Sequence, residues 1–295
     1  MRWGVGSLLW SAPPTHGMTL HPDVLVLPAF TDAEYTGDAS EVKPWLDRYE
    51  FASLDVPGVD HPVRHAPDAG VALAPTGIGK SAAATTVTAL AAGDAVALDD
   101  ATLLTVGIAG VAPAAGTLGS VFVADHVVDG DIKLRTGEST RRMPWLVDDS
   151  VWDLDSDLRD RVVGIASEVE LADSDEAAAI RADYDDDRSP TVAVGPTVCG
   201  DEVYHGTAAA AAVEALCETY GIGSVATTEM EDAGTATALS RFDLLDQYVS
   251  IRAAANFDRE PPGGDPAASI ERDVFDLGIE NAVRVGAAVA DEFAG

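Results

Sequence analysis

The feature that most constrains the fold is the recurrence of short, largely apolar runs separated by helical and turn segments. Val24 to Phe30 (VLVLPAF), Gly70 to Pro75 (GVALAP), Thr102 to Val106 (TLLTV), Ser120 to Val128 (SVFVADHVV), Thr191 to Val198 (TVAVGPTV) and Gln247 to Ala253 (QYVSIRA) all have this character. A strand with one wet face alternates apolar and polar residues, so runs like these predict strands covered on both faces. Between them, Ser81 to Ala92 (SAAATTVTALAA) is small or apolar on every side and predicts a buried helix. Ala208 to Tyr220 predicts an amphipathic helix ending at Gly221, Glu231 to Leu239 a further helix, and Ile270 to Phe293 a terminal one. Glycine turns are expected at Thr76 to Gly79 and Gly107 to Gly110, and Tyr35 to Tyr49 reads as a partly exposed helix or loop. Strands alternating with helices imply an α/β fold, three layers (αβα) around a central mixed sheet.

The 295 residues suffice for one large domain, expected over 19–295. Residues 1–18 read as an extension, disordered or non-native, with Met18 an alternative start to Met1. The apolar stretch Val5 to Trp10 lacks the basic flank and small-residue cleavage site of a secretory signal. No run approaches the roughly 20 apolar residues of a membrane helix, so a cytoplasmic protein without a membrane span is expected. Residues 135–190 are Asp-rich, contain Trp145 and Trp152, and carry a helical pattern over Leu158 to Val169; they read as a helical acidic insertion. Cys199 and Cys217 are placed like free thiols rather than a disulfide or metal set, and no metal is expected.

The formal net charge of -32 is spread along the chain, densest at Asp148 to Asp160 and Asp183 to Asp187. Lysine is confined to Lys43, Lys80 and Lys133. An acidic, lysine-poor surface over an Ala/Val core is the mark of a halophilic protein. At about 1 M salt the Debye length is about 3 Å, and self-repulsion is largely screened. So few cations cannot assemble a basic face, which excludes nucleic acid as a partner.

One turn needs weighing on its own. Ala74-Pro-Thr-Gly-Ile-Gly-Lys80-Ser81 lies between a strand and a helix, as a Walker A loop would. Its first position is Ala74 rather than glycine, and no later strand is evident that ends in an Asp placed to hold magnesium. The alternative is that Gly77 and Gly79 supply a tight turn whose amides face an anion or sugar at the helix N-terminus.

Four segments, in order, resemble the nucleoside phosphorylase superfamily: Thr76 to Lys80 with its small-residue helix; Gly107-Ile-Ala-Gly110 with Leu118-Gly-Ser-Val-Phe-Val123; Thr228-Glu-Met-Glu231-Asp-Ala-Gly234; and Ile251-Arg-Ala-Ala-Ala-Asn256. Within it the chain is most similar to the purine nucleoside permease group, through Asp201-Glu-Val-Tyr-His-Gly206, Met230-Glu-Asp-Ala-Gly-Thr235 and Arg252 to Arg259 running into Pro261-Pro-Gly263.

The resemblance implies a purine nucleoside phosphorylase, a pentosyltransferase that splits the N-glycosidic bond with inorganic phosphate as co-substrate and needs no cofactor. Glu231 would grip the ribose hydroxyls and Met230 lie under the sugar. Asn256 would donate a hydrogen bond to the purine N7, although an amide cannot transfer a proton; Asp258 is its understudy. Glu229, Tyr204, His205, Ala109 and Gly110 complete the expected nucleoside site. Gly77, Gly79, Lys80 and Arg252 are the expected phosphate ligands, with Arg48 and Arg64 as further cations. No arginine precedes the second glycine turn, and relatives without it are often hydrolases; Asp32 or Glu34 would then help to activate water. A nucleoside-binding protein without turnover, supporting nucleoside uptake, is the third reading. The superfamily also implies a homo-oligomer, a dimer, trimer or hexamer. Each residue has a plainer reading as well: Met230 as core, Glu231 and Asp232 as a helix N-terminal acidic pair, Asn256 as a turn residue, His126 and His205 as structural.

Overall fold

The computed structural model describes residues 19–31, 39–136, 139–143 and 150–294. In chain order the elements are β1 (Val24–Leu27), α1 (Lys43–Arg48), β2 (Ala52–Leu54), β3 (Val63–Ala66), β4 (Val71–Leu73), α2 (Lys80–Ala92), β5 (Thr102–Val111) and β6 (Val121–Asp129). They continue with β7 (Lys133–Thr136), β8 (Ser139–Arg142), β9 (Val151–Asp153), α3 (Ser156–Ala166), α4 (Asp175–Ala182), β10 (Val192–Cys199) and α5 (Thr207–Tyr220). The last are β11 (Thr227–Glu229), α6 (Asp232–Ser240), β12 (Tyr248–Phe257), α7 (Pro266–Ile270) and α8 (Phe275–Phe293).

The central sheet runs β11-β10-β6-β12-β5-β1-β4-β3-β2, with β9 added beside β6. It is mixed, as expected. β1 is parallel to β4 and β5, β12 is parallel to β5, and β12 is antiparallel to β6. Strand β11 pairs with β10 and also, antiparallel, with β5. The strands β5, β12, β6, β10 and β11 therefore close on themselves, a small barrel within the sheet that the apolar pattern alone does not announce. Closure brings the ends of β5, β11 and β12 together.

Helices cover both faces. One core cluster joins Trp45 of α1, Val162 of α3 and Val285 and Val289 of α8 to the outward side chains of β1, β4, β5 and β12. The other joins Val87 and Leu90 of α2 and Ala236 and Leu239 of α6 to the opposite side chains of the same strands. Most of the stability from apolar burial resides in these two layers.

Several expectations need correction. Residues 107–110 are not a turn: β5 runs straight through them to Val111. Glycine is required at 107 for another reason, since a Cβ there would lie 2.4 Å from Glu41 Oε1 and 2.9 Å from Arg252 Nη1. Helix α2 is buried on one face only, through Ala83, Thr86, Val87 and Leu90, because its alanine and hydroxyl side chains suit either environment. The terminal helix begins at Phe275 rather than Ile270, after the separate α7, which Asp265 caps by accepting from Ala268 N–H. The β2–β3 hairpin escaped the apolar pattern because its strands are short and partly exposed. Within 135–190, β9 joins the sheet beside β6, and α3 packs on α8 and β6, so this span is woven into the layers. Trp152 is buried in it; Trp145 lies outside the described residues, as do 1–18. Cys199 and Cys217 are both buried and unpaired.

Candidate active site

The strand ends converge on one cavity of about 600 Å³. Ala29 and Phe30 enter it after β1, Ile108 to Gly110 from β5, Thr228 to Glu231 at the end of β11, and Asn256 from β12. Glu202 to Tyr204 and the segment around Phe275 close it from outside. A crevice beyond strand ends is the usual place for a ligand in an open α/β sheet.

Behind Glu229 and Glu231 of its wall lies an unusual group of buried charges. Arg252 is 3% exposed, and its guanidinium donates to Glu229 Oε2 at 3.1 Å, to Asp232 Oδ2 at 3.2 Å and Oδ1, and more weakly to Glu231 Oε2 at 3.4 Å. Asp232 also accepts from the Ser250 hydroxyl. Burial would push the Asp232 carboxyl up, but Arg252 and these hydrogen bonds outweigh it and hold it below its ordinary value. Glu229 Oε2 accepts from the N–H groups of Glu231 at 2.7 Å and Asp232 at 2.8 Å, so it satisfies the first amides of α6. Its other oxygen, Oε1, is buried with no hydrogen-bond partner among the described residues. Burial, reinforced by Asp232 and opposed by Arg252, pushes Glu229 up to about 8. Burial likewise raises Glu231, whose Oε1 accepts from Gly79 N–H at 3.0 Å.

Glu41 is the residue that sequence reasoning missed. It precedes α1, whose Trp45 is fully buried and anchors the segment. Its Oε2 accepts from Ala29 N–H at 2.7 Å and its Oε1 from Ile108 N–H at 2.8 Å, which fixes the carboxyl against the cavity. Burial pushes it up to about 7; Arg252 opposes this and Glu231 adds to it. Only a faint sequence signal marks it, an acid just ahead of the Lys43-Pro44-Trp45 helix start. Asp32 and Glu34, the expected acids of this loop, lie outside the described residues.

Of the other expected residues, Met230, Glu229, Tyr204, Ala109, Gly110 and Asn256 line the cavity with Glu231. Gly110 lies against Thr228 Oγ1 and Asn256 Nδ2. Asn256 is half-buried and Nδ2 donates to the Phe257 carbonyl at 2.8 Å, leaving its second hydrogen for another acceptor. His205 stands behind this strand end, with Nδ1 3.1 Å from the same carbonyl. Asp258 is turned away into a two-point pair with Arg259 at 2.7 and 2.9 Å.

The expected phosphate ligands are otherwise engaged. Lys80 Nζ sits 2.8 Å from Asp129 and 2.7 Å from Asp131, and these carboxylates raise its pKa against the effect of burial. Asp129 ends β6, so a strand does end in an acid facing this lysine, and it neutralises the cation directly. Lys80 N–H donates to Asp201 Oδ1 at 2.8 Å. With Gly79 N–H on Glu231, two α2 amides that an anion would take already hold carboxylates. Gly77 and Gly79 adopt positive φ (81° and 91°), so the tight turn is real. Arg48 pairs with Asp291, and Arg64 lies in β3, in register with Ser53 and Leu73.

The purine nucleoside permease profile matches residues 21–145 and 133–294, nearly the whole described chain. The chain belongs to the purine nucleoside permease family. A probable purine nucleoside permease of Schizosaccharomyces pombe is 29% identical over 257 residues, covering 73% of each chain. Among solved structures, the 5'-methylthioadenosine/S-adenosylhomocysteine nucleosidase of Neisseria meningitidis, in complex with methylthio-immucillin-A, superposes with a TM-score of 0.63 at 18% identity. That match covers 91% of this chain and 98% of the other. The futalosine hydrolase of Helicobacter pylori gives 0.60 at 15% identity, with 93% and 98% covered. These likenesses establish the nucleoside phosphorylase-like fold. No helix among the described residues is long and apolar enough to cross a membrane.

Proposed function

We propose that this chain hydrolyses the N-glycosidic bond of a purine nucleoside, with water rather than phosphate as the nucleophile. The observation that carries the choice is the charge of the cavity wall: Glu41, Glu202, Glu229, Glu231, Glu271 and Asp273 line it, and among the described residues no lysine or arginine does, Arg252 lying behind the carboxylates it pairs with. A phosphate dianion would have to displace carboxylates from the α2 amides and take Lys80 from two acids. Water meets no such obstacle. The structural neighbours named above are a nucleosidase and a hydrolase, which agrees with this reading.

Bond breaking builds positive charge on the ribosyl carbon, and a wall of carboxylates favours that cation. Glu231, aligned by Gly79 N–H and Arg252, receives the ribose hydroxyls. Met230 supplies the polarizable surface beside the sugar. Asn256 donates a hydrogen bond from its free amide hydrogen to the departing base, which leaves as the anion with the electron pair of the broken bond and takes its proton from solvent. Glu41, fixed by two backbone amides and poised near neutrality, takes the proton from the attacking water. The Asn256 amide is the one observation that favours binding without turnover, since it withholds the acid that would complete leaving-group departure.

The test is to incubate inosine, guanosine and adenosine with the protein at high salt, with and without phosphate, and to quantify free base. Release without phosphate is expected. Strict phosphate dependence would restore the phosphorylase reading, and binding without release would make the chain a nucleoside binder. Glu231→Ala should abolish release with the fold intact by circular dichroism; unchanged turnover would show that the site is misplaced.

A further inference from the structure

A second cavity, of about 410 Å³, lies between α5 and the β7–β8 hairpin. It shares Glu202, Val203 and Tyr204 with the nucleoside cavity, but its chemistry is opposite. Lys133, Arg135 and Arg141 border it, against the single carboxylate of Glu202. In a chain with 18 basic and 50 acidic residues, three cations gathered on one small cavity are a marked local reversal of sign. Most other cations here are consumed by ion pairs: Arg48, Lys80, Arg159, Arg181, Arg188, Arg252, Arg259, Arg272 and Arg284 each have a carboxylate partner. No carboxylate among the described residues pairs with Lys133, Arg135 or Arg141. Lys133 instead stands 5.6 Å over the ring of Tyr204, whose hydroxyl donates to Asp131 at 3.1 Å.

The opposite wall is apolar. α5 presents Ala208, Ala209 and Ala212, whose short side chains leave the space open, backed by Val213 and Leu216. A flat apolar wall facing guanidinium and ammonium groups suits a ligand with an apolar or aromatic body and a phosphate, since Arg and Lys recognise phosphate oxygens through charge-assisted hydrogen bonds. The volume is that of a small-molecule pocket.

We infer that this cleft binds an organic phosphate ester of about nucleotide size beside the nucleoside cavity, at a site that takes no part in bond cleavage. Its ligand is held by Arg135, Arg141 and Lys133, with the body of the molecule on α5. The site is independent of whether water or phosphate is the nucleophile next door.

The test is calorimetric titration of AMP, ribose 5-phosphate, inorganic phosphate and adenosine into the full chain, the Glu231→Ala variant and a Lys133→Gln/Arg135→Gln double variant. AMP should bind the Glu231→Ala variant as it binds the unaltered chain. The double variant should weaken AMP by about ten-fold or more while leaving base release from adenosine unchanged. Several results would overturn the inference: no heat with either ester, AMP binding lost on Glu231→Ala but untouched by the double variant, or inorganic phosphate binding as tightly as AMP. A change in oligomeric mass of the double variant, with AMP binding unaffected, would reassign the cleft to a protein interface. Base release is measured separately, so failure of the nucleosidase reading and failure of this one are distinguishable.

Discussion

Two acidic regions of this protein obey opposite physics. On the surface, carboxylates outnumber cations, and those that have one sit half-exposed in pairs such as Arg48–Asp291 and Arg284–Glu280. At the strand ends, Glu229, Glu231 and Asp232 are almost fully buried on one guanidinium, with Glu41 buried nearby on two backbone amides. The same side chain is a solubilising group in the first setting and a tuned reactive or positioning group in the second. Dielectric environment makes the difference: burial penalises the ionised form, and only a specific partner or amide can offset that penalty.

The sharpest way to break this contrast is to remove the guanidinium. Arg252→Met leaves Asp232, Glu229 and Glu231 without their shared cation, and a loss of roughly 3–5 kcal/mol in urea unfolding is expected. A change below about 1 kcal/mol would show that the cluster is wetter than its burial indicates. Next is Glu41→Gln. It keeps the shape but removes the proposed base, and kcat for base release should fall on the order of 10²- to 10⁴-fold. In the unaltered chain the ionised form of Glu41 is lost as pH falls through about 7, so the proposed hydrolysis should decline on the acid side of neutrality. The glutamine variant should lack that limb; a variant with the same limb would assign it to another group.

The surface half of the comparison is tested by salt. With a net charge of -32, the unfolding midpoint should drop when salt is lowered from about 1 M to about 0.1 M, as the Debye length grows from about 3 to about 10 Å. The ratio of Glu41→Gln to unaltered activity should not follow it, because the buried group is shielded from the ions. A flat stability response would remove the halophilic reading.

Glu229→Gln refines the buried half. The folded-state value of Glu229 is raised to about 8 from an ordinary 4.5, so its contribution to stability is full below about 4.5 and is lost as pH rises through about 8. Glutamine mimics the protonated acid. The variant should therefore gain on the unaltered chain in unfolding midpoint between those values and hold the gain above them; parallel profiles would show that Glu229 is ionised throughout. The smallest effect belongs to an exposed pair. Arg284→Ala, removing an i,i+4 bridge on α8, should cost only about 0.3–0.5 kcal/mol.

The main strands and the long helices were legible because a doubly covered strand has to be apolar along its length, and β1, β5, β6 and β12 are. Met230, Glu231 and Asn256 were legible as parts of ordered segments on the right elements. Glu41 was not: an acid in a loop carries no periodicity, and its meaning lies in the amides of Ala29 and Ile108, 12 and 67 residues away. Lys80 and Arg252 were misleading for a related reason. A cation near glycines reads as an anion ligand until the partners that consume it are seen.

The sequence by itself determined the layers and the family, since apolar periodicity and ordered short motifs are local properties. Tertiary structure decided the charge state of the site. Closure of β11 onto β5 and burial of Arg252 put the carboxylates of Glu229, Glu231 and Asp232 on one cation, and that long-range arrangement, invisible in any window of the chain, shifts which groups hold protons.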